Sequence, residues 1–157
     1  MTSEQINETA LCQSLQDLWH EHFPLSRAME VGVYSYADHA LTTRTRLAPN
    51  TNIHNTAFAG SLYAIESLTA WGVLYLELQV AGLDASIIHA SGQIQFDRTV
   101  TTDIIARSDF TGNESIFAEL ADQGKARLDL STSVYSTDDP DNAASTFTGL
   151  YVVRLNR

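Results

Sequence analysis

Apolar residues at Ile6, Ala10, Leu11, Leu15, Leu18, Trp19 and Phe23 recur every three or four positions, which predicts one buried face of an N-terminal α-helix. Thr2 or Ser3 is placed to cap it and Pro24 to stop it. Between positions 29 and 47 the period shortens to two. Met29, Val31 and Val33, then Leu41, Thr43, Thr45 and Leu47 with Arg44 and Arg46 opposite, predict two strands joined by a turn in "YADHA". Beyond Pro49 and the polar loop "NTNIHNT", Phe58, Leu62, Ile65, Leu68, Trp71, Leu74 and Leu78 fall on every side of a second helix. A helix apolar all round must be enclosed by protein. Gly82 is its expected stop.

The second half of the chain is mainly strand. Ile88, Ala90, Gly92, Ile94 and Phe96 alternate with His89, Ser91, Gln93 and Gln95, and "DIIARSDF" gives another run. A short helix is expected over 114–122, closed by Gly124. Leu128 to Val134 and Phe147 to Leu155 supply two more alternating runs around the turn-rich "STDDPDNAAS". Connections this short favour an antiparallel sheet curled around the second helix, an α+β architecture. With 157 residues and neither repeat nor linker, the expectation is one domain over 1–157, its segment 1–24 packed on it as an extra helix.

Composition narrows the function classes. Hydrophobic residues make up 44% and charged residues 18%, a globular balance. The formal net charge of -10 repels phosphate backbones, so neither nucleic acid nor an anionic membrane is expected as a partner. An anionic small substrate remains compatible, since Arg44, Arg46, Arg98 and Arg107 are free to cluster in space. Cys12 is the only cysteine, which excludes an internal disulfide and a multi-cysteine metal site. His20, His22, His39 and His89 have no metal-ligand spacing, and "DDPD" is too short for a calcium loop, so no metal or cofactor is expected. The N-terminus lacks the basic start and apolar run of a signal peptide, and the apolar segment 57–81 contains Glu66 and Glu77. A cytoplasmic protein is the expectation.

Candidate chemistry concentrates in "NIHNTAFAGSLYAIE". Gly60, at the head of the apolar helix, permits a ligand to approach the backbone closely. Asn52 either orients a water or a carbonyl, or caps its own loop. Glu66 stands among apolar residues; burial there demands a partner or a raised pKa, and either suits a general base, while the alternative is a structural carboxyl. His54 in the loop is an acid–base candidate at neutral pH. Ser61 lacks the G-x-S-x-G elbow of a nucleophile.

Together with "IQFDRTVTTDIIARSDF" and "STFTGLYVVRL", the stretch "NIHNTAFAGSLYAIESLTAWGVLYL" resembles the thioesterase family named for the C-terminal domain of YiiD proteins. The resemblance runs from about Arg27 to the end and implies a hot-dog fold, a strongly bent antiparallel sheet around one long helix. Hot-dog thioesterases of the phenylacetate-pathway type carry N-x-x-G-x-x-H-G-G and then an acid on the central helix. Here the asparagine falls on Asn52, the first glycine on Asn55, the histidine on Phe58, the last two glycines on Ala59 and Gly60, and the acid on Ser67. The asparagine and final glycine are kept; the histidine and acid are not.

The resemblance implies hydrolysis of an acyl thioester carried on coenzyme A or an acyl carrier protein, by a homodimer or a tetramer built from it. Backbone N–H groups around Gly60 would stabilise the oxyanion, an interaction worth about 3–4 kcal/mol of barrier. Asn52 and Glu66 or Ser67 would place and activate water. His54, Asn55, Phe58, Ala59 and Ser61 would line the substrate path, and Arg98 would meet the nucleotide phosphates. Two rivals are a hot-dog hydroxyacyl-thioester dehydratase, using His54 and Glu66, and a non-catalytic acyl-thioester binding or assembly module.

Overall fold

The computed structural model describes residues 3–157, with side chains from Asn7 onward. The expected cap Thr2 lies outside the described residues, as do the side chains of Ser3 and Ile6. The first helix, α1, spans Ser3–His22. Pro24 does not simply end it. A second, short helix, α2 (Pro24–Ala28), begins at this proline, whose missing N–H is no loss in a first turn.

Strands β1 (Val31–Ala37) and β2 (Ala40–Thr45) form the expected hairpin. Its two-residue turn holds Asp38 and His39 at φ 50° and 61°, the left-handed pair that matches the twist of the flanking strands. Met29 and Leu47 fall outside the strands; Leu47 leads instead into a 3-10 turn over Ala48–Asn50. The central helix, α3, runs over Ala59–Val80 and is followed by Gly82 at φ 69°. After it come β3 (Ala85–Phe96), β4 (Ile104–Asp109), α4 (Ser115–Gln123), β5 (Lys125–Ser136) and β6 (Ser145–Leu155). Gly124 closes α4 in the left-handed conformation, its N–H donating to Leu120 O at 2.8 Å.

The six strands make one sheet in the order β1-β2-β4-β5-β6-β3, antiparallel throughout. It curls around α3, the hot-dog arrangement that the resemblance implies. Leu62, Ile65, Val73, Leu74 and Leu76 of α3 are buried with Ile104, Ala106, Leu130, Val134 and Phe147 of the sheet. Each of the larger side chains among them contributes about 1.5–3 kcal/mol when removed from water. Trp19 anchors α1 to this core, fully buried where the helix meets Gly72 and Leu41.

The two edges of the sheet differ. Beside β1, α1 satisfies edge groups with side chains: Gln16 Oε1 accepts from the Val33 N–H at 2.9 Å, and His20 Nε2 donates to Val31 O at 3.1 Å. The other edge, β3, is twelve residues long and mostly exposed, with Ile88 and Phe96 48% and 44% accessible. Among the described residues, no helix is long and apolar enough to cross a membrane.

Candidate active site

The loop entering α3 is built to leave the head of that helix open. Asn50, buried, ties it down by donating from Nδ2 to Met29 O at 2.9 Å and Arg46 O at 2.8 Å. The Ala57 N–H donates to Val100 O at 2.8 Å and the Phe58 N–H to Asn50 O at 2.7 Å. Asn52 organises the tip between them. Its Oδ1 accepts from the N–H groups of His54 and Thr56 at 2.9 and 3.2 Å, and its Nδ2 donates to Thr56 Oγ1 at 2.9 Å. The carboxamide is therefore engaged in holding its own loop, with Asn55 at φ 57° completing the turn.

Phe58 occupies the N-cap and supplies no side-chain acceptor, and the first turn of α3 holds no acid. Among the described residues, no acceptor takes the N–H groups of Ala59, Gly60 and Ser61. These amides carry the positive end of the helix dipole. Ala59, the first of them, borders a cleft of about 330 Å³ walled also by Asn52, Thr56, Phe96 and Arg98. The ring of half-exposed Phe58 folds over Gly60 so closely that a Cβ there would sit 2.5 Å from Phe58 Cε1. Glycine is what allows the ring to lie on the backbone.

Glu66 turns away from this opening. It is fully buried beneath β6, where Ser145 Oγ donates to its Oε2 at 2.8 Å and the Phe147 backbone also contributes a hydrogen bond, while Oε1 lacks a partner. Burial pushes its pKa up to about 8, against the smaller opposing pull of those hydrogen bonds. At neutral pH it is therefore mostly a neutral acid, ill suited to accept a proton from water. Ser67 projects from a different face of the helix. Its Oγ donates back to Ala64 O at 3.1 Å, as serine in a helix commonly does, and its carbonyl accepts from Tyr151 Oη at 2.8 Å.

Ser67 borders a second, mainly apolar cavity of about 240 Å³, shared with Met29, Trp71, His89 and Tyr151. His89 arrives there through an irregularity that simple alternation does not foresee. A bulge between His89 and Ser91 shifts the β3 register against β6. His89 thus sits on the α3 side, stacked on Tyr151 at 4.8 Å and beside Tyr63 at 6.4 Å, and not on a polar outer face with Gln93 and Gln95. Gly92 and Gly149 face each other across the same strands and make room for this aromatic layer, since a Cβ on Gly92 would collide with Tyr63 and Phe147.

Of the remaining candidates, His54 and Asn55 are exposed in the loop and Ser61 is partly covered in the first turn. Of the arginines, Arg44 lies 3.5 Å over the Tyr34 ring, Arg46 pairs with Glu30 at 3.1 Å, and Arg98 lies 3.8 Å from Asp139 at the cleft.

The profile of the family described as "Putative thioesterase (yiiD_Cterm)" matches residues 12–155. The chain belongs to this thioesterase family. A solved "putative thioesterase" from Shewanella oneidensis is 30% identical with a TM-score of 0.86, covering 94% of this chain and 99% of that one. A protein of unknown function from Chlorobaculum tepidum is 27% identical with a TM-score of 0.85, covering 92% and 94%. The PaaI protein of the phenylacetic acid degradation operon of E. coli, 12% identical with a TM-score of 0.68 over 94% and 95%, shares the fold.

Within this thioesterase chain the motif positions separate in space. Asn52 and Ala59 line the cleft at the head of α3, Phe58 and Gly60 stand at that same head, and Ser67 lies at the second cavity. Glu66 lies in the core between α3 and β6. Sequence reasoning alone misses the parts played by Asn50 and His89. No local signal marks Asn50, whose partners come from two other segments; the glycines and serine around His89 hint at a bulge.

Proposed function

We propose that the protein hydrolyses acyl thioesters carried on coenzyme A or an acyl carrier protein. The observation that carries the reading is the open head of α3: three unclaimed N–H groups, the first of them at a cleft, in a chain of a thioesterase family. The amides of Ala59 and Gly60 would receive the thioester carbonyl and stabilise the oxyanion that forms when water attacks. The pantetheine arm would follow the loop over 50–56, and Arg98 would meet the carrier's phosphates at the cleft mouth. Asn52 would act by holding the loop in shape, since its side chain is already hydrogen-bonded within it.

The working unit in this reading is a homodimer joined along β3. The β1 edge is covered by α1, whereas β3 offers a long, bare row of backbone donors and acceptors. Identical edges pair antiparallel about a two-fold axis.

A thiol-release assay across acyl-CoA and carrier-linked substrates of increasing chain length tests the proposal. Release of free thiol with saturation kinetics is expected. Tight binding of the same thioesters without release would point to an acyl-binding module instead. Hydration of an enoyl thioester without thiol release would point to a dehydratase, although exposed His54 and enclosed Glu66 do not form the acid–base pair that reaction needs.

A further inference from the structure

Resting on the thioester-hydrolase reading, we propose that His89 is the general base of the reaction, acting on a thioester held at the α3 head of a second copy of the chain. The tautomer follows from the fold. His89 Nε2 lies 2.9 Å from Ser91 O, and a carbonyl oxygen only accepts, so Nε2 carries hydrogen and donates. In the neutral ring, Nδ1 is left with the lone pair, and no described residue occupies it. The ring is clamped by Tyr151 on one side, with Tyr63 and Phe147 beside it, which removes the rotamer freedom a working base would otherwise lose. Tyr63 from α3 and Tyr151 from β6 are the titratable groups facing it, and the Tyr151 hydroxyl is committed to Ser67 O.

The cavity beside His89 supplies the second half of the argument. It is mainly apolar, about 240 Å³, and bounded by Met29, Trp71 and Tyr151, a shape and chemistry suited to an acyl group. Within one chain, the cavity that His89 lines and the cleft at the α3 head share no lining residue, and Ser67 in the first lies eight residues past Ala59 in the second, about 12 Å along the helix at 1.5 Å per residue. Antiparallel β3 pairing removes that separation. The C-terminal end of one β3, whose Phe96 lines the cleft at the α3 head, comes beside the N-terminal half of the other β3, where His89 stands. Each site then combines one chain's amides with the other's imidazole.

The step balances without a further reagent. Nδ1 takes a proton from water as the water oxygen bonds to the carbonyl carbon, giving an oxyanion held by the helix amides. Collapse of that intermediate breaks the carbon–sulfur bond, and the departing thiolate takes the proton from Nδ1–H. The products are the carboxylic acid and the free thiol.

His89→Gln keeps an N–H donor for Ser91 O but has no basic nitrogen. Its kcat/KM on the best acyl-CoA of the panel is expected to fall about 10²–10⁴-fold, with the acidic limb of the pH–rate profile lost and the circular dichroism melt unchanged. Imidazole added to His89→Ala should restore part of the rate. Mixing His89→Gln with Gly60→Val, each inactive alone, should recover about a quarter of wild-type activity through mixed dimers. An active wild type whose His89→Gln variant keeps its rate and acidic limb overturns the base assignment, and absence of recovery on mixing overturns the shared site. A wild type that releases no thiol from any substrate overturns the hydrolase reading itself.

Discussion

Ser145 Oγ donates to Glu66 Oε2 at 2.8 Å inside the core, and both residues are wholly inaccessible to solvent. This pair makes stability depend on pH in a definite direction. The folded carboxyl titrates at about 8 and the unfolded one near 4.5, so between those values the folded state holds a proton that the unfolded state has released. Stability from this group is complete below pH 4.5, declines as pH rises and is gone above about 8. Glu66→Gln should flatten that decline and be the more stable form at pH 9, by a margin on the order of a few kcal/mol. Glu66→Ala should lose about 2–4 kcal/mol at neutral pH through the cavity it leaves. Urea titrations from pH 5 to 9 read both; an equally steep decline in Glu66→Gln would contradict the assignment.

Gly60 and Phe58 are coupled through the ring that lies on the glycine backbone. Gly60→Ala should keep the fold and gain up to about 1 kcal/mol from helix propensity, because the half-exposed ring is free to swing aside. Thioester hydrolysis should nevertheless fall, as the methyl group and displaced ring crowd the open amides. Adding Phe58→Ala should return part of the lost kcat/KM. A double variant no better than the single one would remove the ring from the explanation.

At the far end of α3, Tyr36 Oη donates to Glu77 Oε1 at 2.7 Å, and His39 Nδ1 lies 3.0 Å from the same oxygen. Tyr36→Phe strips a hydrogen bond from a buried carboxyl and should cost about 1.5–3 kcal/mol at every pH below the tyrosine range. The hydrogen bond and charge of Glu77 raise the His39 pKa above its ordinary value. Its contribution is thus present below that ordinary value and disappears as pH rises through the raised one. Since the His39 side chain is 57% exposed, His39→Ala should cost only a fraction of a kcal/mol at pH 5.5 and nothing at pH 9. Thermal melts at those two pH values distinguish the contributions.

Ile88, 48% exposed on the bare edge strand, is the position to probe for assembly. Ile88→Lys puts a charge on the bare edge strand that the partner must pair with, and should yield monomers by sedimentation velocity, with activity lost in parallel. Gln16→Ala, on the covered β1 edge, should cost about 1 kcal/mol and leave the assembly intact. An undisturbed dimer in Ile88→Lys would refute pairing through β3.

Much of the fold was legible in local pattern. Helical spacing marked α1, a long run apolar on every side marked α3, period two marked the strands, and Gly82 and Gly124 marked helix ends, because each signal depends on residues close together in the chain. Pro24 was legible as a break and not as the start of α2, since a proline suits both. The head of α3 was legible too, as a polar loop followed by Gly60 and an apolar helix.

The roles within that frame were settled by contacts between distant segments. Glu66 meets Ser145, 79 positions later, so its protonation state depends on a strand that no nearby residue announces. Asn50 holds its loop through Met29 and Arg46 carbonyls, and Asn52 spends its amide on Thr56. A single bulged residue in β3 carries His89 to the inner face, because a shift of one residue exchanges the two sides of a strand. Short-range periodicity by itself determined which segments are helix and strand and that α3 must be enclosed. Only the tertiary structure decided which polar groups are consumed by packing and which stay open, since hydrogen-bond partners and burial arise when separate elements meet.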